Sequence, residues 1–315
     1  MRGIIDRDTV QVEITNFCYL SCSNCTRFCG SHEKPYFMSF DQFKEAVDSL
    51  VGMPRMLGFM GGETLAHPEF IKFCEYARSK FPKEQLGLWT CMPLKFAHYR
   101  EVICETFGHI FPNSHGRDDV FHAPILVSAE EVIPNKQQMF HAIDHCWLEE
   151  SWSASINPNG AFFCEIAAAM SLLFEDAPKG WPVEPGWWWR TPKDFTSQIE
   201  FFCPRCGVAM PLARRQSTDG RDDISPMNLE RLKDRSLKIK KGQYVLSNCQ
   251  PVPAPALEKM AAYKDMEYRQ KIADAYGMFL IPNQRGFLTP MLKKNFDVNE
   301  ERIYKPSLFE QFQTL

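Results

Sequence analysis

Polar and apolar residues first alternate at Val10. Val10-Gln-Val-Glu-Ile-Thr15 is β-branched with period two and reads as a strand. Phe40, Phe43, Val47 and Leu50 then recur at helical spacing behind Ser39, a plausible N-cap. Met56–Met60 is a second strand. Residues 68–80 form a second helix whose buried stripe is Phe70, Phe73, Cys74 and Ala77. Gln85–Thr90 is a third strand, and Leu94–Phe107 a third helix. Two short apolar runs, Gly108–Phe111 and Ala123–Val127, read as strands four and five. Strands and helices that alternate with short connections imply parallel β/α units. Reactive groups then belong at the C-terminal ends of the strands.

Further along, the pattern loosens. Trp152–Ile156, Asn157-Pro-Asn-Gly160 and Ala161–Cys164 read as a β-hairpin around a Pro-Asn-Gly turn. Ser225-Pro226 opens a short helix. Pro251-Val-Pro-Ala-Pro255 is a stiff connector, and Glu258–Tyr276 an amphipathic helix with Met260, Tyr263 and Met266 towards one side. Internal repeats and low-complexity tracts are lacking.

Chemistry enters with the cysteines. The chain has 315 residues and 12 cysteines. No secretory leader is read at its N-terminus, so metal binding is expected rather than disulfides, in a reducing cytoplasm. The net charge of -3 gives no reason to expect nucleic acid or an anionic membrane. No apolar run approaches the ~20 residues that span a bilayer. Cys18, Cys22 and Cys25 crowd into one loop directly after the first strand, spaced Cys-x3-Cys-x2-Cys. Such soft donors suit a soft metal cluster. With Cys29 they also suit a four-thiolate zinc knot. The second strand ends in Gly61-Gly62-Glu63, followed by His67-Pro68, and the third in Thr90-Cys91-Met92. Cys91 is either turned to a reaction chamber or, as the commoner fate of a lone cysteine, a small buried hydrophobe. The loop 112–122 carries Asn113, His115, Arg117 and His122 as candidate ligand contacts, or is an ordinary solvated loop.

In these motifs the chain resembles the radical S-adenosylmethionine (AdoMet) superfamily. The resemblance implies that Cys18, Cys22 and Cys25 hold a [4Fe-4S] cluster whose fourth iron is chelated by AdoMet. It implies that Gly61, Gly62 and Glu63 line the cofactor, with Thr90, Asn113 and Arg117 nearby. Asn24 departs from the aromatic residue that many members carry before the third cysteine. The implied fold is α/β, a partial (β/α)6-type barrel with a small C-terminal β-hairpin/α auxiliary iron–sulfur domain. Its parts are a core over 1–145, an auxiliary domain over 146–210 and an extension of unknown role over 211–315.

Cys146, Cys164 and the pair Cys203-Pro-Arg-Cys206 make a complete tetrathiolate set, for which zinc is the plain reading. They also resemble the Twitch domain, the shortened SPASM domain, which implies an auxiliary [4Fe-4S] cluster. The cysteine spacing is similar to that of a radical aminocyclitol dehydrogenase. Members reductively cleave AdoMet to a 5′-deoxyadenosyl radical that removes hydrogen from a C–H bond. They take electrons from a flavodoxin- or ferredoxin-type donor. The expected activity is oxidation of a small molecule, a sugar, aminocyclitol or nucleotide-sugar, with His115 as a candidate base. Alternatives are a radical epimerase with Cys91 or Cys249 as hydrogen donor, a peptide-modifying enzyme, and a non-enzymatic metal scaffold. Trp181 and Trp187-Trp-Trp189, with Arg190, could stack a sugar or cover the auxiliary cluster.

Overall fold

The computed structural model describes residues 1–113, 115–116, 120–148, 154–210, 212 and 214–247, and the backbone of 279–282 and 288–291. Arg117, Cys249, Trp152, the connector at 251–255 and the helix expected at 258–276 lie outside the described residues.

The protein is mixed α/β. Strand β1 is Thr9–Thr15, and helix α1 is Phe40–Ser49. Then come β2 (Met56–Gly61), α2 (Phe70–Lys80), β3 (Leu86–Thr90), α3 (Arg100–Thr106) and β4 (His109–Pro112). After β5 (Phe121–His122), α4 (Ala129–Val132) and α5 (Lys136–Asp144), the chain returns as β6 (Ala154–Asn157) and β7 (Gly160–Phe162). Helices α6 (Glu165–Leu173) and α7 (Thr196–Phe202) follow. The last densely packed elements are β8 (Arg215–Gln216), β9 (Asp222–Ile224), α8 (Pro226–Leu232), α9 (Leu237–Lys240) and β10 (Tyr244–Leu246). Strands β11 (Phe279–Pro282) and β12 (Leu288–Met291) pair with each other antiparallel.

The central sheet has the order β4-β3-β2-β1-β6-β7. Its pairs are parallel from β4 through β6, and only β7 runs the other way. The expected hairpin forms, and β6 pairs with β1, so the hairpin extends this sheet.

The alternation on β1 sorts its side chains to two faces. Val10, Val12 and Ile14 are fully buried on the face that α1–α3 cover. There Phe43 stacks on Phe73 at 4.0 Å and meets Phe59 edge-on at 5.2 Å. Helix α1 starts as expected: Ser39 Oγ accepts from Gln42 N (3.2 Å), and Gln42 Oε1 accepts from Ser39 N (3.0 Å). That closes a capping box. The third expected helix is divided into a 3-10 turn over Leu94–Tyr99 and then α3.

One expectation differs from the fold. Ala123–Val127 is not a sheet strand. Pro124 has no N–H for a ladder, and the carbonyls of Ile125 and Leu126 accept from Gly207 N (2.9 Å) and Ser225 N (3.2 Å). The tryptophan segment is placed partly by α1 and partly by the hairpin: Trp181 exchanges backbone hydrogen bonds with Ala161, three residues before Cys164. Trp187 and Trp188 are buried and donate to Ser49 Oγ and O, where α1 ends. That is the end of the sheet opposite Cys18, Cys22 and Cys25.

Candidate functional site

Three loops meet at the C-terminal ends of β1, β2 and β3. The backbone joins the first two: Gly62 N donates to Thr15 O (2.8 Å), and Glu63 N to Phe17 O (2.6 Å). A Cβ on Gly61 would lie 2.4 Å from Thr15 O, and one on Gly62 only 2.2 Å from Phe17 O. The two glycines are therefore needed for the Gly-Gly-Glu turn to approach the strand that carries the cysteines.

Glu63 is fully buried. Oε1 accepts from Thr90 Oγ1 (2.5 Å) and Leu65 N (3.0 Å), and Oε2 from Cys91 N (2.9 Å). Burial pushes its pKa up, and these donors work against that shift. The Glu63 carboxylate thus fixes the end of β3 onto the end of β2. Asn113 also lies here, its N–H donating to Thr90 O (2.8 Å).

The thiols of the cysteine loop interact with one another. Cys29 hydrogen-bonds both Cys18 and Cys25, and Cys91 hydrogen-bonds Cys18 and Glu63. The bonds from Cys29 and Cys91 hold Cys18 well below the usual thiol range, and Cys29 likewise lowers Cys25. Cys29 and Cys91 are pushed up in turn, in each case first by that sulfur contact. Burial, with Cys25 and Cys18 close by, pushes Cys22 up to about 12. Cys91 is thus half-buried at the cysteine loop, not a small hydrophobe in the core.

Among the described residues, no group of three or more His, Cys, Asp or Glu side chains is placed as a finished metal site. The donor chemistry fits a soft metal centre all the same. Cys18, Cys22 and Cys25 share one loop at a strand end, and their charges act on one another. Two are already biased towards the thiolate that a metal requires.

His115 packs edge-on against His122 with ring centroids 4.7 Å apart. Its carbonyl accepts from Ser217 Oγ (2.7 Å) and lies 4.0 Å from the Cys22 sulfur. Burial, then His122, pushes the His115 imidazole down to about 3. The ring is neutral and accepts a proton poorly near neutral pH, which weakens it as a base. His122 is held by Ser23 O (2.7 Å from Nδ1), and burial lowers it too.

Of the second cysteine set, Cys164 follows β7 and caps α6, and Cys203 opens a 3-10 turn that ends at Cys206. Trp147 Nε1 donates to Val208 O (3.1 Å), which brings the Cys146 stretch to the Cys206 stretch. Phe163 N donates to Gln198 Oε1 (3.1 Å), which ties the Cys164 turn to the helix leading into Cys203. Gly207 crosses under Pro124 and Val127, where a Cβ would meet their carbonyls at 2.2 and 2.6 Å.

Sequence reasoning missed a polar network on the other face of β1. Gln11 and Glu13 are fully buried there. Arg27 Nη2 reaches Gln11 Oε1 (2.6 Å) and Glu165 Oε2 (2.8 Å), and its Nη1 lies 3.7 Å from Glu13 Oε2. Tyr36 Oη donates to Glu13 O (2.8 Å). Burial raises Glu13 to about 7 against the pull of Arg27. The available signal was a charged residue in the middle of a strand that is flanked by others.

No family model and no curated protein matches the sequence. Among solved structures, the chain is similar to the crystal structure of BtrN in complex with AdoMet and 2-DOIA, with 15% identity and a TM-score of 0.29. The match covers 34% of this chain and 45% of that one, so the chain spans less than half of that protein's length. Among the described residues, no helix is long and apolar enough to cross a membrane.

Proposed function

We propose that the protein is a radical AdoMet enzyme. The observation that carries this reading is the hydrogen-bonded union of the cysteine loop and the Gly-Gly-Glu turn at the ends of two parallel strands. Cys18, Cys22 and Cys25 would hold a [4Fe-4S] cluster, and the turn at Gly61–Glu63, with Thr90 and Asn113, would receive AdoMet. When bound, that pair supplies a 5′-deoxyadenosyl radical after one electron arrives from a flavodoxin- or ferredoxin-type donor. The chain's own residues do the rest. Glu63 locks three strand ends into one rigid floor. Gly61 and Gly62 leave the backbone bare for close approach. Cys22, Ser23 and Asn24 are buried, which limits the water that reaches this side of the centre.

In the same reading, Cys146, Cys164, Cys203 and Cys206 bind an auxiliary [4Fe-4S] cluster of Twitch type. That cluster would accept the second electron when a sugar, aminocyclitol or nucleotide-sugar is oxidised. Supporting it are the cysteine spacing and the packing of the stretches that carry these residues. A second reading is an epimerase with Cys91 as hydrogen donor, since this half-buried thiol lies at the cysteine loop.

The test is anaerobic reconstitution with iron and sulfide counted per chain, for wild type and for Cys146→Ala/Cys164→Ala. About eight irons in wild type and about four in the variant support two cubanes. Dithionite should then yield 5′-deoxyadenosine from AdoMet with both proteins. One zinc in place of the second set of irons would sink the auxiliary cluster, and lack of AdoMet cleavage would sink the reading itself.

A further inference from the structure

Residues 215–247 match no motif, yet they lie across the cysteine loop. Ser23 N donates to Ser217 O (2.9 Å), and Ser23 Oγ donates to Gln216 O (2.8 Å). Gly220 N donates back to Ser23 Oγ (2.9 Å). Asn24 exchanges two bonds with Asp223: Nδ2 donates to Oδ2 (2.8 Å), and Oδ1 accepts from the Asp223 N–H (2.8 Å). Asn24 has φ +49°, a left-handed conformation that asparagine tolerates better than most residues.

Beneath these contacts sits Lys238, which is 1% exposed. Its Nζ donates to Cys22 O (2.6 Å) and to Asp222 Oδ1 (2.8 Å). The same Asp222 oxygen accepts from Asn24 N (2.6 Å). Three consecutive residues of the loop, Cys22 to Asn24, are thus held by residues about two hundred positions later. The Lys238 charge also acts on the thiols of Cys22 and Cys25, favouring their ionised form.

A buried ion pair is a poor way to gain stability, since desolvation offsets the attraction and an apolar pair of the same shape does as well. A local need for positive charge is a better account. Three thiolates in one desolvated loop gather negative charge, and Lys238 is the buried cation bonded to that loop's backbone. We propose that Lys238 is a positioning residue for the cysteine loop: held by Asp222, it pins the Cys22 carbonyl and offsets the negative charge of the metal centre. The charge half of this rests on the radical AdoMet reading; the pin does not.

The experiment uses the full chain and the variants Lys238→Met, Lys238→Arg and Asp222→Asn. In the metal-free protein, hydrogen exchange at residues 22–24 should quicken by roughly 10- to 100-fold in Lys238→Met, as expected for loss of a charged hydrogen bond. After reconstitution, the midpoint potential of the cluster on this loop is read by EPR in the Cys146→Ala/Cys164→Ala background. Lys238→Met should lower it, Lys238→Arg should leave it near wild type, and Asp222→Asn should raise it, because the cation loses its counter-charge. A purely structural clasp would not give opposite shifts. Shifts of the same sign, or wild-type exchange and potential in Lys238→Met, would overturn the proposal. If Lys238→Met does not fold, the sign in Asp222→Asn decides. A wild type that holds no cluster sinks the radical reading and the charge half, while the exchange rates still decide the pin.

Discussion

Arg27 Nη2 lies 2.8 Å from Glu165 Oε2, and the pair joins the segment just after the cysteine loop to the first turn of α6. Both side chains are buried, and Gln11 and Glu13 share the guanidinium. Removal of Arg27 would strand carboxylates in the interior. Arg27→Met is expected to lose about 3–5 kcal/mol of stability, the usual result of breaking a buried pair. Urea denaturation of the metal-free protein measures this, and a loss below about 1 kcal/mol would show that the network relaxes without its cation.

Glu13 gives the network a pH dependence. Its folded value is raised to about 7 from 4.5. Below pH 4.5 both folded and unfolded states hold the proton. Between 4.5 and 7 the unfolded chain ionises first, so the folded state binds more protons and stability falls as pH rises. Above 7 the full difference is lost, about 3 kcal/mol for this shift. Glu13→Gln should flatten that part of the stability profile. An unchanged slope between pH 4.5 and 7 in the variant would refute the assignment.

Gly62→Ala should disturb the cysteine loop directly. Its new methyl would meet Phe17 O at 2.2 Å, a backbone atom that cannot swing aside. A cost of about 3 kcal/mol, the upper range for overpacking, is expected, together with loss of iron after reconstitution on the proposed reading. Gly116→Ala meets nothing within 4 Å and serves as the control. Equal iron content in both variants would remove the steric account.

Glu63→Gln keeps the shape of the side chain but turns one acceptor into a donor. Facing it are Thr90 Oγ1, Leu65 N and Cys91 N, which donate to the wild-type carboxylate. The end of β3 should loosen, and on the proposed radical AdoMet reading AdoMet should bind roughly tenfold or more weakly by equilibrium dialysis, in line with a lost charged hydrogen bond. Wild-type affinity would mean that Glu63 does not shape the site.

The run from Val10 to Thr90 was legible because periodicity, caps and core agree there. The stripe of Phe70, Phe73, Cys74 and Ala77 is fully buried, as its spacing predicts. The cysteine loop and the Gly-Gly-Glu turn were readable as motifs, although the steric need for the glycines was not. Contacts across great sequence distance leave no local mark. Ser23 and Asn24 look like ordinary loop residues until Asp222, Asp223 and Lys238 arrive. Cys91 turned on strand register, where one residue reverses the face. The tryptophans drew attention through composition, which says nothing about which end of a sheet they occupy.

The tryptophan segment also decides what happens at the last strand. Strand β7 forms one rim of the sheet. A free rim would present a row of unpaired amides that another chain could extend. Here Ala161 and Trp181 exchange backbone hydrogen bonds of 2.9 Å each, and Gly180 N donates to Asn159 O at 2.8 Å. Gly160 and Gly180 allow this crossing, since a Cβ on either would lie 2.6 Å from a carbonyl of the other segment. The rim is occupied by the protein's own backbone, so a substitution such as Gly180→Val would expose it and turn a packing change into a tendency to aggregate.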